Sequence, residues 1–89
     1  MIIGRISGTV VCTTKVEKLE GFKLLLVSKL NLQGEDTGDF VVAVDCVGAG
    51  AGEKVLLVSG SSSRQTKSTE GKPVDAAIVG IVDTVHIAE

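Results

Sequence analysis

Three groups of residues in this 89-residue chain have side chains that could do chemistry. Ser61-Ser62-Ser63, Asp83 and His86 are the residue types of a hydrolytic triad. A nucleophilic serine also needs a strained presentation and donors for an oxyanion, and no motif here supplies either. His86 is the only histidine and reads as a polar strand residue near the end of a β-rich run. Cys12 and Cys46 are widely separated, neither belongs to a CxxC pair, and a single histidine cannot complete a four-ligand metal set with them. They are expected to be reduced and to pack as small buried hydrophobes. Gly48-Ala49-Gly50-Ala51-Gly52, with Glu70 twenty residues after Gly50, has the look of a dinucleotide loop and its ribose-binding acid. Such a loop must open a helix whose N-terminus faces phosphate, whereas here a β-rich segment follows. The residues therefore predict no catalytic site, no cofactor and no metal.

What remains is polar chemistry that holds chains together. Asp45 lies inside an apolar run, and Asp75 and Asp83 bracket another. Each either faces solvent on the alternate side of a strand or meets a partner such as Arg64, whose planar guanidinium binds carboxylates and carbonyls in fixed geometry. Strand periodicity leaves that choice open. Gly48, Gly50 and Gly52 permit a tight turn, and they also predict a place where backbones or subunits crowd together near a symmetry axis, because they present no Cβ.

The elements that must position these residues are all β. Residues 2–11 read as a first strand, kinked near Gly8. Residues 22–30 form a second, bounded by turn signals, and 31–39 a polar loop with Gly34 and Gly38. The β-branched run 40–47 is a third strand, 54–59 a fourth, and Gly60 opens a single helical turn through Arg64. After a polar loop and Pro73, residues 74–87 are the longest β-rich run, with Gly80 as a bend. Five strands and one short helical turn predict an all-β fold, a compact antiparallel barrel of the OB kind, whose closure removes exposed edges. With no repeat and no linker, residues 1–89 read as a single domain.

Composition adds a constraint. A chain of this size buries only about 60–65% of the surface its unfolded form exposes, yet 44% of its residues are hydrophobic. The excess predicts self-association. Residues 76–82 are apolar at consecutive positions, so both faces of that strand want cover while one barrel core covers one face. The second face should meet a neighbouring subunit, through Asp75, Ile78, Val79, Gly80 and Ile81 with Arg64 fixing the contact. Nine basic and eleven acidic residues give a net charge of −2, and Phe22 and Phe40 are the only aromatics. A nucleic-acid partner is disfavoured on both counts, since backbone binding wants a basic groove and base binding wants stacking platforms. No apolar run is long enough for a membrane span and no secretory leader is evident, so the chain is expected in the cytoplasm.

Several stretches carry a likeness to a known family. They are Gly8-Thr9-Val10-Val11-Cys12-Thr13-Thr14-Lys15 with Leu19, Gly21, Lys23, Leu24 and Leu25; the central block from Val42 to Glu53, then Val55-Leu56 and Gly60-Ser61-Ser62-Ser63-Arg64; and Pro73-Val74-Asp75-Ala76-Ala77-Ile78-Val79-Gly80-Ile81-Val82-Asp83. Across nearly its whole length the chain resembles the EutN/CcmL family of bacterial microcompartment vertex proteins. The resemblance implies an OB-like barrel, a homo-pentamer, neighbouring hexameric shell proteins, and no catalytic residue or cofactor. In the Gly60 to Arg64 stretch a serine stands where alanine is common in the family. The rival reading is an OB-type module for a small ligand or single-stranded nucleic acid, because fold does not fix function.

Overall fold

The structure, a computed structural model, describes residues 1–88. Side chains alternate between inside and outside along each strand, and that alternation builds the core. In β1 (Ile2–Val10) Gly4 and Ile6 point inward, in β2 (Leu24–Leu30) Leu25 and Val27, in β3 (Asp36–Asp45) Val41 and Ala43, in β4 (Lys54–Ser59) Val55 and Leu57, and in β5 (Ala76–Ile81) Ala76 and Ile78. All of these except Gly4, together with Ala49, form one cluster inside a closed barrel of strand order β1-β2-β3-β5-β4. Gly4 is indispensable to closure. A Cβ there would fall on Val27 Cγ1 and 2.9 Å from the Ser28 carbonyl oxygen, so β1 and β2 approach as they do only because position 4 has no side chain. The β1–β2 register slips between Ile6 and Gly8, the kink expected near Gly8.

A second apolar cluster lies outside the barrel wall. Val44, Val74 and Ala77 are buried there, with Leu19, Phe22, Leu24, Val58 and Val79 packed against them. A 3-10 turn at Glu17–Leu19, absent from the expected elements, carries Leu19 over this cluster. At three residues it is too short for any apolar period to announce it.

The expectation of a purely antiparallel barrel needs correcting. β3 and β5 are parallel, in register at Val44↔Ala77 and Asp45↔Ile78, because the segment between β4 and β5 carries the chain back across the barrel. β3 starts at Asp36 rather than at residue 40, and β5 ends at Ile81 rather than continuing to 87. Pairing explains both. Leu30 of β2 finds Asp36 after a bulge, whereas the β4 partner of β5 runs out just beyond Val55↔Ile81. The cysteines also depart from expectation: both are free, but Cys12 is exposed beyond the end of β1 and Cys46 is only half-buried. Among the described residues no helix is long and apolar enough to cross a membrane.

Candidate assembly surfaces

Two turns flank β4, and of the polar residues singled out in the sequence Asp45, Ser63, Arg64 and Asp75 meet there, while Asp83 and His86 are exposed beyond β5. The first is the glycine-rich connection between β3 and β4. Asp45, at the last position of β3, accepts the backbone N–H groups of Val47, Gly48 and Ala49 on Oδ1 at 3.0, 3.0 and 3.2 Å. Neither alternative read from the sequence holds for Asp45: it is neither a solvated outward carboxylate nor the partner of Arg64, but a cap on its own turn. From the other side Glu53 Oε1 accepts the Gly50 N–H at 2.6 Å. Arg5 Nη1 donates to the Gly52 carbonyl at 3.0 Å and Lys23 Nζ to that of Ala49 at 3.4 Å. Gly48 and Gly52 have φ of +77° and +81° with open space where a Cβ would go, so within the chain they answer a backbone conformation and not a close approach. At Gly50 a Cβ would lie 3.3 Å from Glu53 Oε1.

The second turn is the 3-10 turn Gly60–Arg64. Ser63 is fully buried, and its Oγ donates toward the Gly60 carbonyl at 2.6 Å and that of Val74 at 3.0 Å. Arg64 Nη1 donates to the same Val74 oxygen at 3.0 Å, and the Gly60 N–H to the Asp75 carbonyl at 2.8 Å. The turn is thereby sewn to the residues that enter β5. A buried serine hydroxyl engaged with two carbonyls is no nucleophile, which removes Ser63 from the triad of residue types, while Ser61 and Ser62 are exposed. Arg64 is exposed and commits one arm of its fork inside the chain.

The structure separates the β5 residues named for a subunit contact. Ile78 is 0% exposed and belongs to the barrel's own core, so it is withdrawn from any outer surface. Ala77 faces outward but is covered by the chain's own second cluster. The expectation that a neighbour must cover that whole face is corrected accordingly: the chain covers much of it with Leu19, Phe22 and Val74. Val79 and Gly80 are half-buried, Ile81 is 41% exposed, and Asp75 is exposed. Exposed apolar side chains elsewhere include Val11, Leu32, Phe40 and Val42. Phe40 is the one exposed aromatic among the described residues, too few to form a stacking platform. Sequence reasoning missed Gly4 and the role of Asp45; an Asp followed by a glycine within three residues was the only signal for the latter.

A small closed barrel that spends Asp45, Glu53 and Ser63 on its own turns and leaves several large hydrophobic side chains exposed defines a structural module built for assembly. Residues 1–83 match the family model described as ethanolamine utilisation protein EutN/carboxysome. The chain belongs to the EutN/CcmL family. It is 47% identical over 85 residues to the bacterial microcompartment shell vertex protein EutN of Salmonella typhimurium, covering 96% of this chain and 86% of that protein. It is 49% identical to the shell vertex protein GrpN of Rhodospirillum rubrum, covering 97% of each. The solved structure of that protein, described as a pentameric microcompartment shell protein, superposes over the whole of both chains with a TM-score of 0.89. A solved CcmL from a Nostoc species gives 0.95 at 45% identity, over 98% of this chain and 92% of that one. The relatives are structural shell proteins, not enzymes.

Proposed function

We propose that five copies of this chain close into a ring that caps a vertex of a microcompartment shell, bordered by hexameric shell proteins. The observation that carries the reading is the end-to-end likeness to the pentameric shell protein GrpN, at 46% identity. The geometry gives the ring its purpose. A flat lattice of six-sided units cannot enclose a volume, so five-sided units are required where facets meet. A five-fold ring also demands a contact in which one surface meets a different surface of the next copy, and it stops growing because the rotation closes. Light scattering behind size exclusion tests it: five subunits of 9.2 kDa should elute as one species of about 46 kDa. Co-expression with a six-sided shell protein should give closed particles with the chain and open sheets or tubes without it. A concentration-independent monomer or a six-membered ring refutes the reading.

A further inference from the structure

The barrel is closed in outline, yet one strand keeps part of an edge free. The Asp45 N–H donates to the Lys23 carbonyl on the β2 side, and the Cys46 N–H to the Ile78 carbonyl on the β5 side. Peptide groups alternate sides along a strand. Back along β3, those of Val44, Val42 and Phe40 therefore face β5. Val44 has Ala77 beside it, but β5 begins at Ala76, and on that side no described strand pairs with Val42 or Phe40, although the non-strand residues Pro73, Val74 and Asp75 share a hollow with Val42. Their side chains are open too, 38% and 65% exposed. A regular stretch of strand with a bare edge and apolar side chains is a template for another strand.

The same chain carries a segment with the sequence pattern of a strand but no described partner. Beyond β5 the Val82 N–H still donates to the Lys54 carbonyl at 2.8 Å, and no further backbone hydrogen bond is described for residues 83–88. Apolar Val85 and Ile87 alternate with Thr84 and His86, the pattern of a half-covered strand. Val85 and Ile87 line one hollow together with Ile3 and Leu32 of their own barrel. The segment thus rests one face on its own subunit and leaves its peptide edges open.

We infer that the segment 83–87 of one copy adds as a strand to the free β3 edge at Phe40 and Val42 of the next. The inference rests on the ring reading and deepens it. A free edge and an unpaired strand are different surfaces of one chain, the requirement of a head-to-tail contact, and main-chain bonds would supply the affinity. The partner is a second copy because the chain supplies both halves.

Amide hydrogen exchange on the assembled ring tests it. The Phe40 and Val42 amides are expected to exchange at least tenfold more slowly in the ring than in a chain ending at Val82, and that shorter chain should fall apart at tenfold or more higher concentration. Should truncation harm folding, Thr84→Pro and Val85→Pro, made separately in the full chain, serve instead. Adjacent N–H groups point to opposite edges, so one of the two removes a bond donated to the neighbour while the barrel is untouched. The inference is overturned if Phe40 and Val42 exchange freely in an intact ring. It is equally overturned if they stay protected in a ring lacking residues 83–89, since another occupant then holds the edge. In both cases the pentamer itself survives, whereas a monomeric native chain would sink the ring reading instead.

Discussion

The two turns that flank β4 do the same job with different chemistry. At residues 48–52 the main fasteners are carboxylates that hold N–H donors, Asp45 three and Glu53 one, while Arg5 and Lys23 reach the Gly52 and Ala49 carbonyls. At Gly60–Arg64 the fasteners are a hydroxyl and a guanidinium, and the group they share is a carbonyl, that of Val74. Both turns use a left-handed glycine, but the first is held chiefly by carboxylates and the second by the buried Ser63 hydroxyl. Polar residues that look catalytic in a list are here sorted by the sign of the backbone group each one answers.

The largest effect should come from removing the anion. Asp45→Ala leaves three N–H groups without their acceptor and should cost about 2 kcal/mol, near the middle of the range for bonds to charged groups. That corresponds to a Tm drop of roughly 10 °C or more in a domain of this size, read by calorimetry or circular dichroism. Asp45→Asn keeps Oδ1 and should recover part of the loss; equal losses would mean that charge, not the acceptor, holds the turn. Next comes Gly48→Ala, which forces a side chain to φ +77° and should cost about 1.5 kcal/mol. Gly50→Ala, with ordinary φ and only the Glu53 carboxylate to displace, should cost under about 0.5 kcal/mol. A reversal of that order would break the claim that conformation, not crowding, selects the glycines.

On the other turn Ser63→Ala should cost about 1 kcal/mol, the usual worth of a neutral bond, since Arg64 still serves the Val74 carbonyl. A loss above that of Asp45→Ala would invert the comparison. As small as that of Gly50→Ala is the effect of Arg64→Ala on the fold, within about 0.5 kcal/mol in thermal melts for an exposed side chain. If the remaining guanidinium donors reach the next copy, the same variant should dissociate at about tenfold higher concentration by analytical ultracentrifugation, roughly 1.4 kcal/mol.

Much of this was legible in the sequence, and the reasons are local. β4 and the turn Gly60–Arg64 fall at the expected residues because glycine, serine and an apolar run mark their ends within the segment itself. The start of β3 and the end of β5 were not legible, because a strand lasts as long as its partner, and the partners lie elsewhere in the chain. Ile78 and Ile81 are the same residue type three positions apart, one in the core and one in solvent; the β4 register decides which, and composition does not record it. Asp45 was seen as an anomaly in an apolar run, but its three acceptor bonds belong to a turn geometry that no residue type specifies alone.

The parallel contact between β3 and β5 has a further consequence. It consists of two residue pairs, Val44↔Ala77 and Asp45↔Ile78, joined through a crossover of about thirty residues. Every other seam of the barrel is antiparallel and has at least four pairs. The β1–β4 seam closes a longer stretch of chain, from Ile2 to Leu57, but it secures twice as many pairs, so the β3–β5 seam returns the fewest bonds and is where local opening of the barrel is expected first. The molecule is in effect a curled ribbon held shut by a two-pair clasp.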